Sequence, residues 1–179
     1  MSPMDDAATL RGHLTNIYYE YRTALMNKKY YGARLRHYRR INRWFELMIA
    51  LGATTGTGIG GLVIWKQAYW GTVTWAIISG LSVCLTTIKP VLDYGKEIER
   101  NSKLAGEYAA LFETFRIMEQ DIRVAQQLTS DQVETFNQIR RRSIELAQLD
   151  DVHPDRRILQ LACDEVKREI PAESLWMPT

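Results

Sequence analysis

The sequence is poor in the residues that build enzymes and metal centres. Its three histidines, His13, His37 and His153, are scattered and have no partners at ligand spacing. The two cysteines, Cys84 and Cys163, make no metal spacing and stand far apart, which reads as two free thiols in a reducing compartment. No phosphate-binding loop, nucleophile elbow or paired-carboxylate motif occurs. These absences argue against an enzyme, and neither a cofactor nor a metal is expected. Neither end carries a lipidation motif, and the first apolar run starts 46 residues in, far beyond the place of a secretory leader.

Charge is missing where its absence says most. Leu47 to Trp65 contain no charged residue, and neither do Gln67 to Ile88. Each run is long enough to cross a hydrocarbon core ~30 Å thick at ~1.5 Å per helical residue. A mean hydropathy of −0.27 hides them because the rest of the chain is rich in charge. The expectation is an all-α membrane protein built on a two-helix transmembrane hairpin. Residues 1–46 are read as a basic amphipathic arm, 47–65 as the first span, 66–71 as a short external turn, 72–88 as the second span and 89–179 as a cytoplasmic helical region.

What charge there is sets the orientation. Met1 to Glu46 carry nine Lys/Arg against four Asp/Glu, and five of those arginines crowd into Arg34, Arg36, Arg39, Arg40 and Arg43. The turn between the runs holds one lysine, Lys66. The positive-inside rule then puts both termini on the cytoplasmic side of the inner membrane. Trp44 and Phe45 stand at the inner interface and Trp65, Tyr69 and Trp70 at the outer one, where aromatic residues concentrate. The arginine cluster reads as a topology anchor with a solvated face, or as a contact with anionic lipid head groups. No nucleic-acid module accompanies it or Arg140-Arg141-Arg142, and direct nucleic-acid binding is not expected.

The first run is thin. Gly52, Gly56 and Gly60 recur every fourth residue, a doubled GxxxG pattern that lets a second backbone approach closely. The second run carries a small stripe that includes Ala76, Ser79, Gly80 and Thr87. These surfaces either close the hairpin and cement neighbouring hairpins, or line a pore once several copies assemble. In the second case Thr54, Thr55, Thr57, Ser79 and Thr87 would offer hydroxyls to ions or water. Glu46 and Lys89 stand at the cytoplasmic mouth, where they pair with each other or form charged rings.

The remainder has helical periodicity. Leu104, Tyr108, Leu111, Phe115, Met118 and Ile122 alternate spacings of four and three. The stripe is a seam between subunits or the core face of a bundle within one subunit, and its short run favours the bundle. Thr129-Ser130-Asp131-Gln132 matches a capping box opening a helix to about Leu149. Asp150 to Pro154 break it, and a last helix turns Ile158, Leu161, Ala162, Val166 and Ile170 inward before Pro171. The N-terminal arm has Leu10, Leu14, Ile17, Tyr21 and Leu25 on one side, with Gly32 placed to bend it. Arm and C-terminal helices emerge on one side and have only each other to cover their apolar faces.

A basic arm, a hairpin with a glycine-rich first span, a proline at the exit of the second (Pro90) and a Leu104/Tyr108/Leu111 stripe form a known order. In it the chain resembles the SLATT family, two-transmembrane effectors of bacterial conflict systems, over about Tyr18 to Pro171. The resemblance implies a homo-oligomeric effector that permeabilises the inner membrane when a companion senses phage, in an abortive-infection type of defence. The implied companion is a nucleotide-making enzyme or a reverse transcriptase system, or else a nucleotide signal. The competing expectation is a membrane-anchored scaffold that docks a soluble partner and conducts nothing.

Overall fold

Apolar side chains recur every three or four residues through most of the chain, the spacing that gathers them on one face of an α-helix. The computed structural model describes residues 3–57, 77, 80, 81, 83–89, 92–125, 127–151 and 153–171. Its helices are α1 (Pro3–Thr57), α2 (Tyr94–Ala125), α3 (Ser130–Ala147) and α4 (Arg156–Glu169), and residues 83–89 are also helical. Every regular element among the described residues is a helix, so the fold is all-α. Among those residues no helix is long and apolar enough to cross a membrane. Residues 58–65 of the first charge-free run, and residues 67–76, 78, 79 and 82 of the second, lie outside the described residues.

Two compact units are present, residues 1–34 with 101–179 and residues 35–100. The divisions between the units fall at 34/35 and 100/101. α1 runs unbroken through Gly32 and through Glu46–Leu47, so neither place ends a helix. Glycine weakens a helix by only about 1 kcal/mol relative to alanine, which fifty-odd residues of continuous pattern override.

The first unit holds the core. Leu14, Ile17 and Leu25 of α1 meet Leu104, Tyr108, Leu111, Phe115, Met118 and Ile122 of α2. Phe136 and Leu146 of α3 and Ala162 and Val166 of α4 complete it. Burying one such large side chain contributes ~1.5–3 kcal/mol. All six residues of the α2 stripe are therefore inside this chain's own core, where they cover α1, α3 and α4. Tyr21 stacks on Phe112 with centroids 4.8 Å apart. Thr129 caps α3 through the reciprocal box with Gln132, the Thr129 N–H donating to Gln132 Oε1 at 2.9 Å. Asp155 caps α4, accepting from the N–H groups of Arg157 and Ile158. One inward assignment is corrected: Leu161 is 64% exposed. The buried stripe of α4 follows the i+4 row Ile158, Ala162, Val166 and Ile170, and Leu161 lies beside it.

In the second unit Phe45 and Tyr38 of α1 approach Tyr94 of α2, with ring centroids 5.5 and 6.2 Å away. Asp93 opens α2 with a φ of 42°, a left-handed conformation that aspartate tolerates better than most residues. Its carbonyl accepts from the N–H groups of Lys96 and Glu97. Its carboxylate pairs with the Lys96 ammonium at 2.5 Å.

Candidate functional site

Each unit contains a cluster of polar side chains among its described residues. In the first unit, α1 presents two consecutive tyrosines to the α3–α4 connection. Tyr31 Oη donates to Asp150 Oδ1 at 2.8 Å, and Tyr108 Oη reaches the same carboxylate at 2.9 Å. Tyr30 Oη donates to Asp151 Oδ2 at 3.1 Å. The tyrosine oxygens also accept: Asp151 N–H donates to Tyr31 Oη and Asp155 N–H to Tyr30 Oη. Arg34 closes the group with an ion pair to Asp151 and a bond to Tyr30 Oη.

Sequence explains the placement. Tyr30, Tyr31 and Arg34 occupy one turn of α1, so their side chains leave the same stretch of helix. Asp150 and Asp151 follow the last turn of α3, where the Leu149 N–H donates to Leu146 O and the Asp150 N–H to Ala147 O. Tyr30, Tyr31 and Tyr108 are almost wholly buried. Burial, then the bond to Asp150, pushes the Tyr31 and Tyr108 hydroxyls well above their ordinary 10.0. Both phenols are protonated donors at neutral pH, which suits fixation and not nucleophilic chemistry. Among the described residues no three His, Cys, Asp or Glu side chains are grouped to hold a metal.

Nothing in the pattern Tyr-Tyr or Asp-Asp announced this clasp. Consecutive aspartates after a helix read as a solvated turn, and their partners are about 120 residues away in sequence. Arg34, grouped in sequence with the arginines read as a topology anchor or lipid contact, is ion-paired to Asp151 in this cluster. Arg140 and Arg142 pair with Glu20 and Glu107. Cys163 Sγ lies 3.3 Å from Met26 Sδ.

The second cluster surrounds the point where the first charge-free run begins and the second ends. Lys89 Nζ lies 3.3 Å from Glu46 Oε1, and Asn42 donates to the same oxygen at 2.9 Å. Residues 43 apart in sequence are thus side by side. Arg36, Arg39, Arg40 and Arg43 are exposed, and with Trp44 and Leu47 they surround an open recess of about 570 Å³. Among the described residues no carboxylate is ion-paired to any of these four arginines.

The other expected site residues divide between described and undescribed positions. Gly52, Thr54, Thr55, Gly56 and Thr57 belong to the helical backbone of α1, but their side chains lie outside what is described. Gly60, Ala76 and Ser79 lie outside the described residues altogether. A Cβ built on Gly80 meets nothing within 4 Å, so no contact inside the chain among the described residues requires glycine there. Thr87 Oγ1 donates to Val83 O at 2.9 Å, its own helix satisfying it. Compared with family models, curated proteins and solved structures, the chain matches none.

Proposed function

We propose that this chain is a membrane effector whose residues 47–65 and 72–88 cross the inner membrane as a helical hairpin, with both termini cytoplasmic. Several copies together form a pore or otherwise breach the bilayer when a companion sensor or a nucleotide signal reports phage infection. The observation that carries the membrane part is where the apolar residues of the second unit point. Leu47, Met48, Ile77, Leu81, Val83, Ile88 and Leu92 are all exposed. Among the described residues, no member of that unit belongs to the buried core. Water disfavours contiguous apolar surface of this kind, whereas lipid or a neighbouring subunit covers it. The Lys89–Glu46 pair supports the hairpin, because it holds the start of the first charge-free run and the end of the second at one place. The effector role and its trigger rest on the resemblance to the SLATT family.

The test is flux from liposomes holding the purified chain. Wild type is expected to release ions or a small dye once oligomeric. Gly56→Leu, which blocks close helix approach, inserts but loses the flux. Absence of flux from every oligomeric form, with a soluble partner still bound, would leave the membrane-anchored scaffold as the function.

A further inference from the structure

Charge is divided unevenly between the units. The second carries eight Lys/Arg against four Asp/Glu, the first fifteen against seventeen. Among the described residues no carboxylate is ion-paired to Arg36, Arg39, Arg40 or Arg43, and two of the unit's four carboxylates are taken by lysines, Glu46 by Lys89 and Asp93 by Lys96. At ~100° per residue, Arg36, Arg39, Arg40, Arg43, Trp44 and Leu47 fall within an arc of roughly 140° on α1. Tyr38 and Phe45, which approach Tyr94, fall on the opposite side. The arginine face is therefore turned away from the packing of its own unit.

The face also has an order along the helix. Four cations come first, and Trp44 and Leu47, 60 and 48% exposed, follow at the start of the first charge-free run. A soluble polyanion would neutralise the arginines and leave the apolar residues in water. A bilayer surface accommodates both, with phosphates beside the guanidinium groups and acyl chains beside Leu47. Trp44 stands at the boundary, where an amphipathic ring is most stable. Guanidinium forks match phosphate geometry and are less strongly hydrated than ammonium groups.

Resting on the membrane reading above, we infer that Arg36, Arg39, Arg40 and Arg43 form a binding face for anionic phospholipid head groups, with Trp44 as its interfacial edge. Arg34, committed to Asp151, is outside it. Each basic residue near a charged lipid surface raises partition roughly fivefold. Loss of four is therefore expected to weaken binding by roughly 600-fold at low salt, and salt reduces the effect.

The experiment titrates the detergent-solubilised full chain with mixed micelles of phosphatidylglycerol or phosphatidylcholine. Native mass spectrometry counts the retained lipid. Phosphatidylglycerol is expected to be retained preferentially by wild type. The preference should vanish in the quadruple Arg→Gln variant at positions 36, 39, 40 and 43 and return when the four are lysine. Equal retention of both lipids by wild type overturns the proposal, as does a preference that survives in the quadruple variant. Displacement of the lipid by a short RNA duplex at lower concentration overturns it in favour of a nucleic acid. Carbonate extraction of cell membranes separates the two readings. A chain that resists extraction but shows no lipid preference loses only this proposal, and one that is extracted loses the membrane reading as well.

Discussion

Tyr31 and Tyr108 lie on different helices, stack with ring planes 2° apart and centroids 5.8 Å apart, and give both hydroxyls to the single carboxylate of Asp150. The pair ties α1 and α2 to the α3–α4 connection, and each phenol is nearly without access to water. Hydrogen bonds to a charged group are worth ~1.5–3 kcal/mol, and a buried donor left without an acceptor incurs a desolvation penalty of similar size. Tyr108→Phe is accordingly expected to destabilise the first unit by ~1–3 kcal/mol, and Asp150→Ala by more, because it strands two hydroxyls. Thermal or urea unfolding followed by circular dichroism checks the order. Equal stability of Asp150→Ala and wild type would show that the clasp contributes nothing.

The same bonds make stability depend on alkaline pH. A phenol with a raised folded-state pKa holds its proton more tightly folded than unfolded. Its contribution is whole below the unfolded value of about 10 and is lost as pH rises beyond it. Melting temperature should fall as pH climbs past 10, and the Tyr31→Phe/Tyr108→Phe variant should fall less steeply. Lys29 keeps part of the slope in that variant, since its bond to Glu169, ahead of that to Glu165, raises its own pKa above 10.5. Parallel curves for wild type and variant would contradict the account.

Two arginines only two positions apart should behave differently. Arg34→Gln removes the cation from Asp151 and a donor from Tyr30 and is expected to destabilise by about 1–3 kcal/mol. Arg36→Gln touches an exposed side chain and should stay within ~0.5 kcal/mol of wild type. Denaturation midpoints of the two variants, measured side by side, decide whether the arginine run is one functional group or two.

Lys89 and Glu46 mark the return of the chain. With Cys84 and Cys163 replaced by serine, Glu46→Cys/Lys89→Cys should be joined within one chain by a short bis-maleimide, giving a faster-migrating monomer on a denaturing gel. Their salt bridge itself is partly exposed and should add only ~0.2–1 kcal/mol in a double-mutant cycle. Cross-linked dimers without the internal product would mean that the two residues meet between copies.

Much of the helical scaffold was readable from residue spacing, because burial and helix capping act locally. The box at Thr129 and Gln132 closes as its letters require, and the Leu104 to Ile122 stripe turns inward as one face. Leu161 stands beside the buried row, and periodicity alone does not choose between adjacent rows. The clasp was illegible for a different reason. Tyr30, Tyr31, Asp150 and Asp151 are individually ordinary, and only the meeting of α1 with the α3–α4 connection gives them each other as partners. Arg34 shows the same limit: five arginines make one cluster in sequence, and tertiary structure removes one of them.

Under the proposed function, residues 47–88 cross the membrane twice. The most direct test is labelling of intact spheroplasts with a membrane-impermeant maleimide, using a Cys84→Ser chain with Ala68→Cys in the turn between the charge-free runs. The account predicts that position 68 is labelled from outside, while Cys163 reacts only after lysis. Recovery of the chain in the soluble fraction, or shielding of position 68 until lysis, would contradict it.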